Sequence, residues 1–433
     1  MKILIKGGRV IDPVSNLDAI CDVLTQDSTI AKVSKGIKTE ADYTIEATDK
    51  IVMPGLIDMH VHLREPGRED KETVESGTRA ALKGGVTCVL AMPNTHPALD
   101  SVEHIRLLKN IIKNSAHAHV FIAGAITRGR LGEELVDIAG VKREGVVAIT
   151  DDGYSVDSDV LMLEALKTAQ ASGMLVICHS EDKKLSKNGV VNLGLTSTRM
   201  GLRGISKESE YKRVQRDIEL AEEAGARVHI AHVSCKESLE LIAAAKKKGI
   251  KVTCETAPHY FSLSEEDVLG FDTNMKMNPP LRSRQDRVVI REGLADGTID
   301  AIASDHAPHT ENEKDIEFER AEFGVVGLET LLAASITELV EKGVLSWPDL
   351  VAKFTVNPAR ILGLSKGSLK EGADADLTVV APKEEWLVEK TSLVSKSKNC
   401  AFLGRALKGV VEYAICSGRI AYPFKNNSRK KNR

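Results

Sequence analysis

The feature that most constrains the fold is an alternation of short apolar runs with amphipathic helical segments through most of the chain. Parallel strands that are buried on both faces appear in sequence as nearly unbroken apolar runs. Eight such runs, separated by helical segments that several times end on glycine, predict an α/β fold in which the strands close into a (β/α)8 barrel. The eight runs are IVMPGLIDMHVH, VTCVLAMPNT, AHVFIAGAIT, GVVAITDDG, MLVICHSED, RVHIAHVS, KVTCETAPHY and IDAIASDHAPH.

The two ends of the chain follow another pattern. Residues 1–52 contain short hairpin-forming strands with Gly, Asp and Pro turns, and residues 367–425 repeat that style. We therefore predict one small β-sandwich-type domain assembled from both termini, with the barrel formed by residues 53–366 between them. The basic tail, residues 426–433, is expected to be disordered and solvated.

Composition narrows the classes of function. The 433 residues are 42% hydrophobic and 28% charged, as in globular proteins with a large core, and a formal net charge of -3 gives no reason to expect nucleic acid or an anionic membrane as partner. No apolar stretch has membrane-spanning length. Several of the seven cysteines lie inside apolar runs and no CxxC pair occurs, which predicts a reduced, cytoplasmic protein.

Polar residues recur at the carboxyl ends of the apolar runs. In a barrel of this type those ends form the mouth that carries active sites, so residues far apart in sequence are expected to converge there. A buried core excludes such groups unless they are paired or bind a metal. The residues are His60, Asn94, Asp152, His179, His232, His259 and Asp305.

The pair His60 and His62 is the strongest indication of a metal. Residues i and i+2 of a strand face the same side, so both imidazoles point into the barrel. Four histidines and two carboxylates at the strand ends suit zinc and exceed the needs of one tetrahedral site, which favours a two-metal centre. Only one of Asp151 and Asp152 can face inward. The alternative, that each is a separate hydrogen-bonded polar group, requires several coincidences.

Two metals would activate a water and polarise a carbonyl, which predicts hydrolysis at an amide-like carbon or its reverse. A carboxylate such as Asp305 could carry the proton to a leaving nitrogen. A long polar segment, residues 310–330, follows the eighth strand, and we expect it to cover the substrate as a lid.

The motifs resemble those of the amidohydrolase superfamily over essentially the whole chain and, within it, those of the class I dihydroorotases of pyrimidine biosynthesis. That resemblance implies the reversible interconversion of N-carbamoyl-L-aspartate and L-dihydroorotate by an enzyme holding two Zn2+ ions. It also suggests a homodimer and an association with aspartate transcarbamoylase, neither of which the sequence itself indicates. The motifs are DMHVHLREPG, AMPNTHP, TDDG, CHSED, HIAHVS, TCETAPHY, KMNPPLR, ASDHAPH, NPARILGL and GADADLTVV.

The resemblance implies roles for particular residues, with Asp152 bridging the metals and Asp305 acting as general acid and base. The implied metal ligands are His60, His62, Asp152, His179, His232 and Asp305. The implied substrate contacts are His62, Arg64, Asn94, Asn278, His309, and the backbone around Phe323 and Gly324. The guanidinium of Arg64 suits a carboxylate. From the residues alone, Arg64 could instead pair with Glu65 or Glu69.

Two alternative hypotheses of function stay open. A hydantoinase, dihydropyrimidinase or allantoinase would share the barrel, but those relatives typically bridge their metals with a carboxylated lysine where this chain reads AITDDG. A non-catalytic scaffold would have lost ligands, whereas all six candidates are present here. His259 and Tyr260 are expected to pack behind the site.

Overall fold

The computed structural model describes residues 1–424, and the basic tail predicted at 426–433 lies outside the described residues. Eight parallel strands form one sheet in a single circular order along the chain. A parallel bridge between Val61 and His306 joins the last strand to the first, so the sheet closes as predicted. Asp58 strengthens this closure, because its buried carboxylate accepts a hydrogen bond from the backbone N–H of Ser304 at 3.1 Å.

The described residues contain three groups of strands: the barrel (β6–β10 and β13–β15), the sheet built from the termini, and a short pair (β11 and β12). In chain order they are β1 (Lys2–Asp12), β2 (Leu17–Gln26), β3 (Thr29–Ser34), β4 (Tyr43–Glu46), β5 (Ile51–Pro54), β6 (Leu56–Val61), β7 (Val86–Ala91), β8 (His119–Gly124), β9 (Ala148–Ile149), β10 (Leu175–Cys178), β11 (Val191–Asn192), β12 (Gly204–Ile205), β13 (Val228–Ile230), β14 (Val252–Thr256), β15 (Ala301–Ile302), β16 (Leu377–Leu387), β17 (Ala406–Cys416) and β18 (Arg419–Tyr422).

Helices connect the barrel strands, and several have a capping side chain or a glycine at their ends. Ser158 caps α4, for example, and Gly225 ends α7 in the left-handed conformation. The α-helices are α1 (Val74–Lys83), α2 (Val102–Ser115), α3 (Ile138–Arg143), α4 (Asp159–Ala171), α5 (Lys183–Ser186), α6 (Leu195–Met200), α7 (Glu208–Ala224), α8 (Lys236–Lys247), α9 (Pro258–Ser262), α10 (Arg284–Ala295), α11 (Glu311–Lys314), α12 (Leu331–Ser335), α13 (Trp347–Phe354) and α14 (Val356–Leu362).

The second sheet combines strands from both ends of the chain, in the order β18-β17-β16-β5-β1-β2-β3, with β4 also paired to β1. Strand β1 pairs in parallel with β4 along Ile3–Lys6 and with β5 along Arg9–Val10, so the sheet divides at β1. It has its own hydrophobic core, distinct from the barrel core. Since β5 ends two residues before β6 begins, the sheet leads directly into the first barrel strand.

One part of the C-terminal region leaves this sheet. Between β16 and β17, residues 388–405 extend onto the barrel, where the Ser395 backbone and hydroxyl bond to the buried carboxylates of Glu329 and Glu72. Further along, the Asn399 amide donates to the carbonyl oxygen of Gly324 at 3.1 Å. This excursion therefore reaches the segment that follows the eighth barrel strand.

All seven cysteines lie within the described residues and are free thiols, six of them buried. Among residues 1–424, a helix that combines the length and the apolar character needed to cross a membrane is not found.

Candidate metal centre

The six predicted ligands occupy the carboxyl ends of five barrel strands. His60 is the penultimate residue of β6 and His62 follows its end, while the other four come one to three residues after β9, β10, β13 and β15. All six side chains are buried. His232 and Asp305 have φ values of 36° and 49°, a strained region for residues other than glycine that is common at functional sites.

The carboxylates lie between the imidazoles. The Nε2 atom of His60 is 3.2 Å from Asp152 Oδ1 and 3.7 Å from Asp305 Oδ1. The Nε2 atom of His62 is 3.5 Å from Asp152 Oδ2 and 3.5 Å from Asp305 Oδ1. One nitrogen or oxygen from each of His60, His62 and Asp305 falls within 4.8 Å of the others, a separation that one ion can bridge.

A second group surrounds the other side of Asp152. His232 Nε2 and His179 Nδ1 lie 3.5 and 3.6 Å from Asp152 Oδ1, and the two imidazole nitrogens are 2.9 Å apart. His60, Asp152 and His232 again have ligand atoms within 4.8 Å of one another. The carboxylate of Asp152 thus contacts both groups, the position that a bridging ligand would need.

The protonation pattern fits a divalent cation. His60 Nδ1 donates to Glu255 at 2.9 Å and His62 Nδ1 donates to Asn94 at 2.8 Å, so that both Nε2 atoms face the carboxylates of Asp152 and Asp305. His60 Nε2 and Asp152 Oδ1 are buried and have no hydrogen-bond partner within residues 1–424. Burial opposes protonation of His60, but the carboxylates of Asp152, Glu255 and Asp305 together outweigh burial and raise the pKa of His60 well above its usual value, as expected in a strongly negative potential. A cation would satisfy these atoms.

Glu255 is a functional residue that the sequence analysis missed. His259 lies three residues beyond β14, which ends at Thr256, and Pro258 opens the short helix α9 that carries it. The polar residue inside the strand is Glu255, whose fully buried carboxylate orients the His60 imidazole. His259 is buried against Tyr260 behind the site.

Asp151 and Asp152 have different environments, as two successive residues require. Asp151 accepts hydrogen bonds from the backbone N–H groups of Ile126 and Thr127 at 2.8 and 3.1 Å and from the Thr127 hydroxyl. Its carboxylate therefore ties β9 to the segment after β8. Asp152 alone faces the imidazoles.

The predicted substrate contacts all line one cavity of about 510 Å³ together with ligand residues. They are His62, Arg64, Asn94, Asn278, His309, Phe323 and Gly324. Arg64 does not pair with Glu65 or Glu69; its Nε donates to the carbonyl of Pro308 at 3.1 Å, and Glu65 accepts from the backbone of Val74 instead. The guanidinium is thereby left beside the cavity.

His309 contacts cationic side chains at both ring nitrogens. Lys71 Nζ lies 3.1 Å from Nδ1, and Arg64 Nη2 lies 3.3 Å from Nε2, which is also 2.8 Å from the carbonyl oxygen of Phe323. Burial and the charge of Arg64 both lower the pKa of His309 well below its usual value. A neutral imidazole therefore joins the cavity wall to the loop that carries Phe323.

Glu181 is a second cavity residue that the sequence analysis missed. Its carboxylate lies 3.5 Å from His179 Nε2 and accepts a hydrogen bond from the Asn278 amide at 3.2 Å. Burial raises its pKa, but the His179 imidazole and hydrogen bonds from Ser186 and Asn278 together outweigh burial and lower the pKa to about 2. The residue was present in the CHSED motif, but nothing in the sequence indicated which carboxylate would turn inward.

The closed barrel and its cluster of imidazoles and carboxylates define the class of the protein, an amidohydrolase of the metal-dependent barrel type. A family profile described as dihydro-orotase-like matches residues 49–238. The chain is 50% identical over 423 residues to the dihydroorotase of Geotalea daltonii, covering 98% of this chain and 99% of that relative. It is 51% identical over 420 residues to the dihydroorotase of Pelotomaculum thermopropionicum, covering 97% and 98%. The chain belongs to the dihydroorotase family.

Solved structures confirm the architecture. An L-hydantoinase (dihydropyrimidinase) from Arthrobacter aurescens superposes with a TM-score of 0.87 over 96% of this chain and 95% of that chain, at 27% identity. A D-hydantoinase superposes with a TM-score of 0.86 at 24% identity, a likeness that concerns the fold alone. The barrel and the second sheet are thus shared with cyclic amidohydrolases.

Proposed function

We propose that this chain catalyses the reversible interconversion of L-dihydroorotate and N-carbamoyl-L-aspartate in pyrimidine biosynthesis. The observation that carries the assignment is a pair of buried atoms, His60 Nε2 and Asp152 Oδ1, that have no hydrogen-bond partner among the described residues, with Asp152 lining the same cavity as Arg64. The full-length similarity to proteins named dihydroorotase supports it.

Two zinc ions are the proposed cofactor. The first would be held by His60, His62 and Asp305, the second by His179 and His232, with Asp152 between them. Nitrogen and oxygen donors of this kind suit zinc. When bound, such ions lower the pKa of a water and polarise the carbonyl that it attacks.

Asp305 is the proposed general acid and base. Its carboxylate lines the cavity next to His62, and burial raises its pKa, but the hydrogen bond with His62 and the charge of His60 outweigh burial and lower it. In the hydrolytic direction Asp305 takes a proton from the attacking water and delivers it to the ring nitrogen as the C–N bond breaks. In cyclisation the same proton moves in the opposite direction.

Arg64, Asn94 and His309 are proposed to orient the substrate. The guanidinium of Arg64 can bind the substrate carboxylate with two parallel hydrogen bonds. Asn94 accepts a hydrogen bond from His62 and so connects the substrate to a proposed metal ligand. Asn278 and the backbone of Phe323 and Gly324 are proposed to bind the ring from the opposite wall of the cavity.

A matched pair of substrates tests this assignment. Purified protein should turn over L-dihydroorotate and leave hydantoin unchanged, since a neutral ring offers no carboxylate to Arg64. Prompt hydantoin opening with inert dihydroorotate would instead favour a hydantoinase. An inactive but folded protein without bound zinc would favour a non-catalytic scaffold.

A cytoplasmic location is proposed with this role, supported by the six buried free thiols. A homodimer and association with aspartate transcarbamoylase stay predictions.

A further inference from the structure

The segment from Asp315 to Gly324, here called the cavity loop, follows α11 and brings Phe323 and Gly324 to the cavity. It contains no helix or strand. Loops without secondary structure usually leave their carbonyl groups to water. In this loop most of the carbonyl groups instead accept hydrogen bonds from buried side chains.

The side chain of Lys276 is enclosed by the cavity loop, and the residue is only 2% exposed. Its ammonium donates to the carbonyl oxygens of Phe318, Glu319 and Ala321 at 2.9, 3.0 and 2.6 Å. These bonds use all three donors of a lysine. The same ammonium lies 4.5 Å from the centre of the Phe323 ring, within the range of a cation–π contact.

Lys314 holds the remaining part of the cavity loop. Its buried ammonium donates to the carbonyl oxygens of Glu322 and Gly324 at 2.8 and 3.1 Å and approaches that of Lys276 at 3.4 Å. The Gly324 N–H donates to the same Lys276 carbonyl at 3.0 Å. The two lysines are therefore joined through the backbone that they support.

Every hydrogen bond that these two ammonium groups make within residues 1–424 goes to a backbone carbonyl. Burying a lysine is costly, and buried charges are ordinarily balanced by carboxylates. The ammonium groups of Lys276 and Lys314 do not pair with a carboxylate here. Their hydrogen bonds instead fix the backbone path of the cavity loop near Phe323 and Gly324. The cavity loop packs closely against the end of the eighth strand, because a Cβ on Gly324 would lie 2.6 Å from the Cβ of Ala307.

We propose that Lys276 and Lys314 are positioning residues that hold the cavity loop in the shape needed for Phe323 and Gly324 to contact the substrate. The proposal rests on the function proposed above, in which the backbone of these two residues binds the ring. Neither lysine touches the reacting atoms.

Trypsin provides a direct readout of the loop. Arg320 lies in the cavity loop with 69% of its side chain exposed, and it is the one lysine or arginine between Lys314 and Lys342. Cleavage after Arg320 requires the cavity loop to unfold locally and detach from the barrel. Mass analysis of the products identifies this cut independently of any substrate.

Lys276→Met and Lys314→Met remove the donors while keeping most of the side-chain volume. Each should speed cleavage after Arg320 about ten-fold or more and raise the KM for L-dihydroorotate about ten-fold, with a smaller change in kcat. Lys353→Met is the matched control: this buried lysine bonds to the carbonyl of Ile299 at 2.5 Å, away from the loop, and should change neither quantity.

Wild-type cleavage and wild-type KM in both Met variants would overturn the proposal. If a Met variant does not fold by circular dichroism, the Gln variant of the same lysine, which keeps one amide donor, is judged by the same two measurements. Wild-type protein without dihydroorotase activity would refute the proposed function, while cleavage after Arg320 would still decide whether the lysines hold the loop.

Discussion

At the scale of single residues, Asp305 is proposed to serve both as a metal ligand and as the group that moves the proton. We expect Asp305→Asn to lower kcat by about 10³-fold or more, because general acid–base catalysis alone contributes about 10²–10⁴-fold. Turnover of L-dihydroorotate measures the effect, and circular dichroism checks the fold. A folded variant that retains wild-type kcat would remove Asp305 from the mechanism.

Arg64 should determine binding of the acidic substrate. Arg64→Met removes the hydrogen-bond donors from a buried position, so KM should rise by about 10–100-fold, the equivalent of about 1.5–3 kcal/mol for a bond to a charged group. Arg106→Met, at an arginine with 63% of its side chain exposed on α2, is the control. An unchanged KM in the Arg64 variant would exclude the carboxylate clamp.

Glu255 should act through His60. Glu255→Gln keeps the size of the side chain but removes the charge that makes the imidazole a strong ligand, so zinc affinity should fall by about 10–100-fold. Titration with a competing zinc chelator measures the affinity directly. Glu240→Gln on α8, at 62% exposure, should bind zinc like the wild type. Equal affinities for the two variants would assign Glu255 a purely structural role.

At the scale of elements, the end of α1 packs against the chain that follows the eighth barrel strand. A Cβ on Gly84 would lie 2.1 Å from the carbonyl oxygen of Leu328, which is backbone and cannot rotate away. Gly84→Ala should therefore reduce the free energy of unfolding by about 1–3 kcal/mol. Denaturant titration checks this value.

Gly270→Ala is the matched control for Gly84→Ala, because nothing lies within 4 Å of a Cβ at Gly270. Its free energy of unfolding should stay within about 0.5 kcal/mol of the wild type. Equal stability of the two variants would show that the barrel accommodates the added methyl group by shifting the Leu328 backbone.

The elements that carry the ligands could be predicted because two local signals agree. Apolar runs mark parallel strands, and a polar residue just after each run marks the barrel mouth, so His60, His179 and Asp305 could be placed together. Glu255 was missed because it lies inside its strand. Lys276 could not be identified, since its partners are carbonyls more than 40 residues away and no side-chain pattern encodes them.

At the scale of the whole molecule, a closed barrel brings residues from 60 to 305 into one cluster, and a second sheet from both termini leads into its first strand. The excursion 388–405 then bonds to the chain beside the cavity. The proposed function requires this cluster to hold catalytic zinc.

Chelation followed by reconstitution with zinc tests this requirement. Protein treated with a chelator and shown to be folded and zinc-free should lose dihydroorotase activity, and the activity should return in proportion to added Zn2+ until about two ions are bound per chain. Full turnover of L-dihydroorotate by the folded, metal-free protein would rule out a catalytic metal in this cluster.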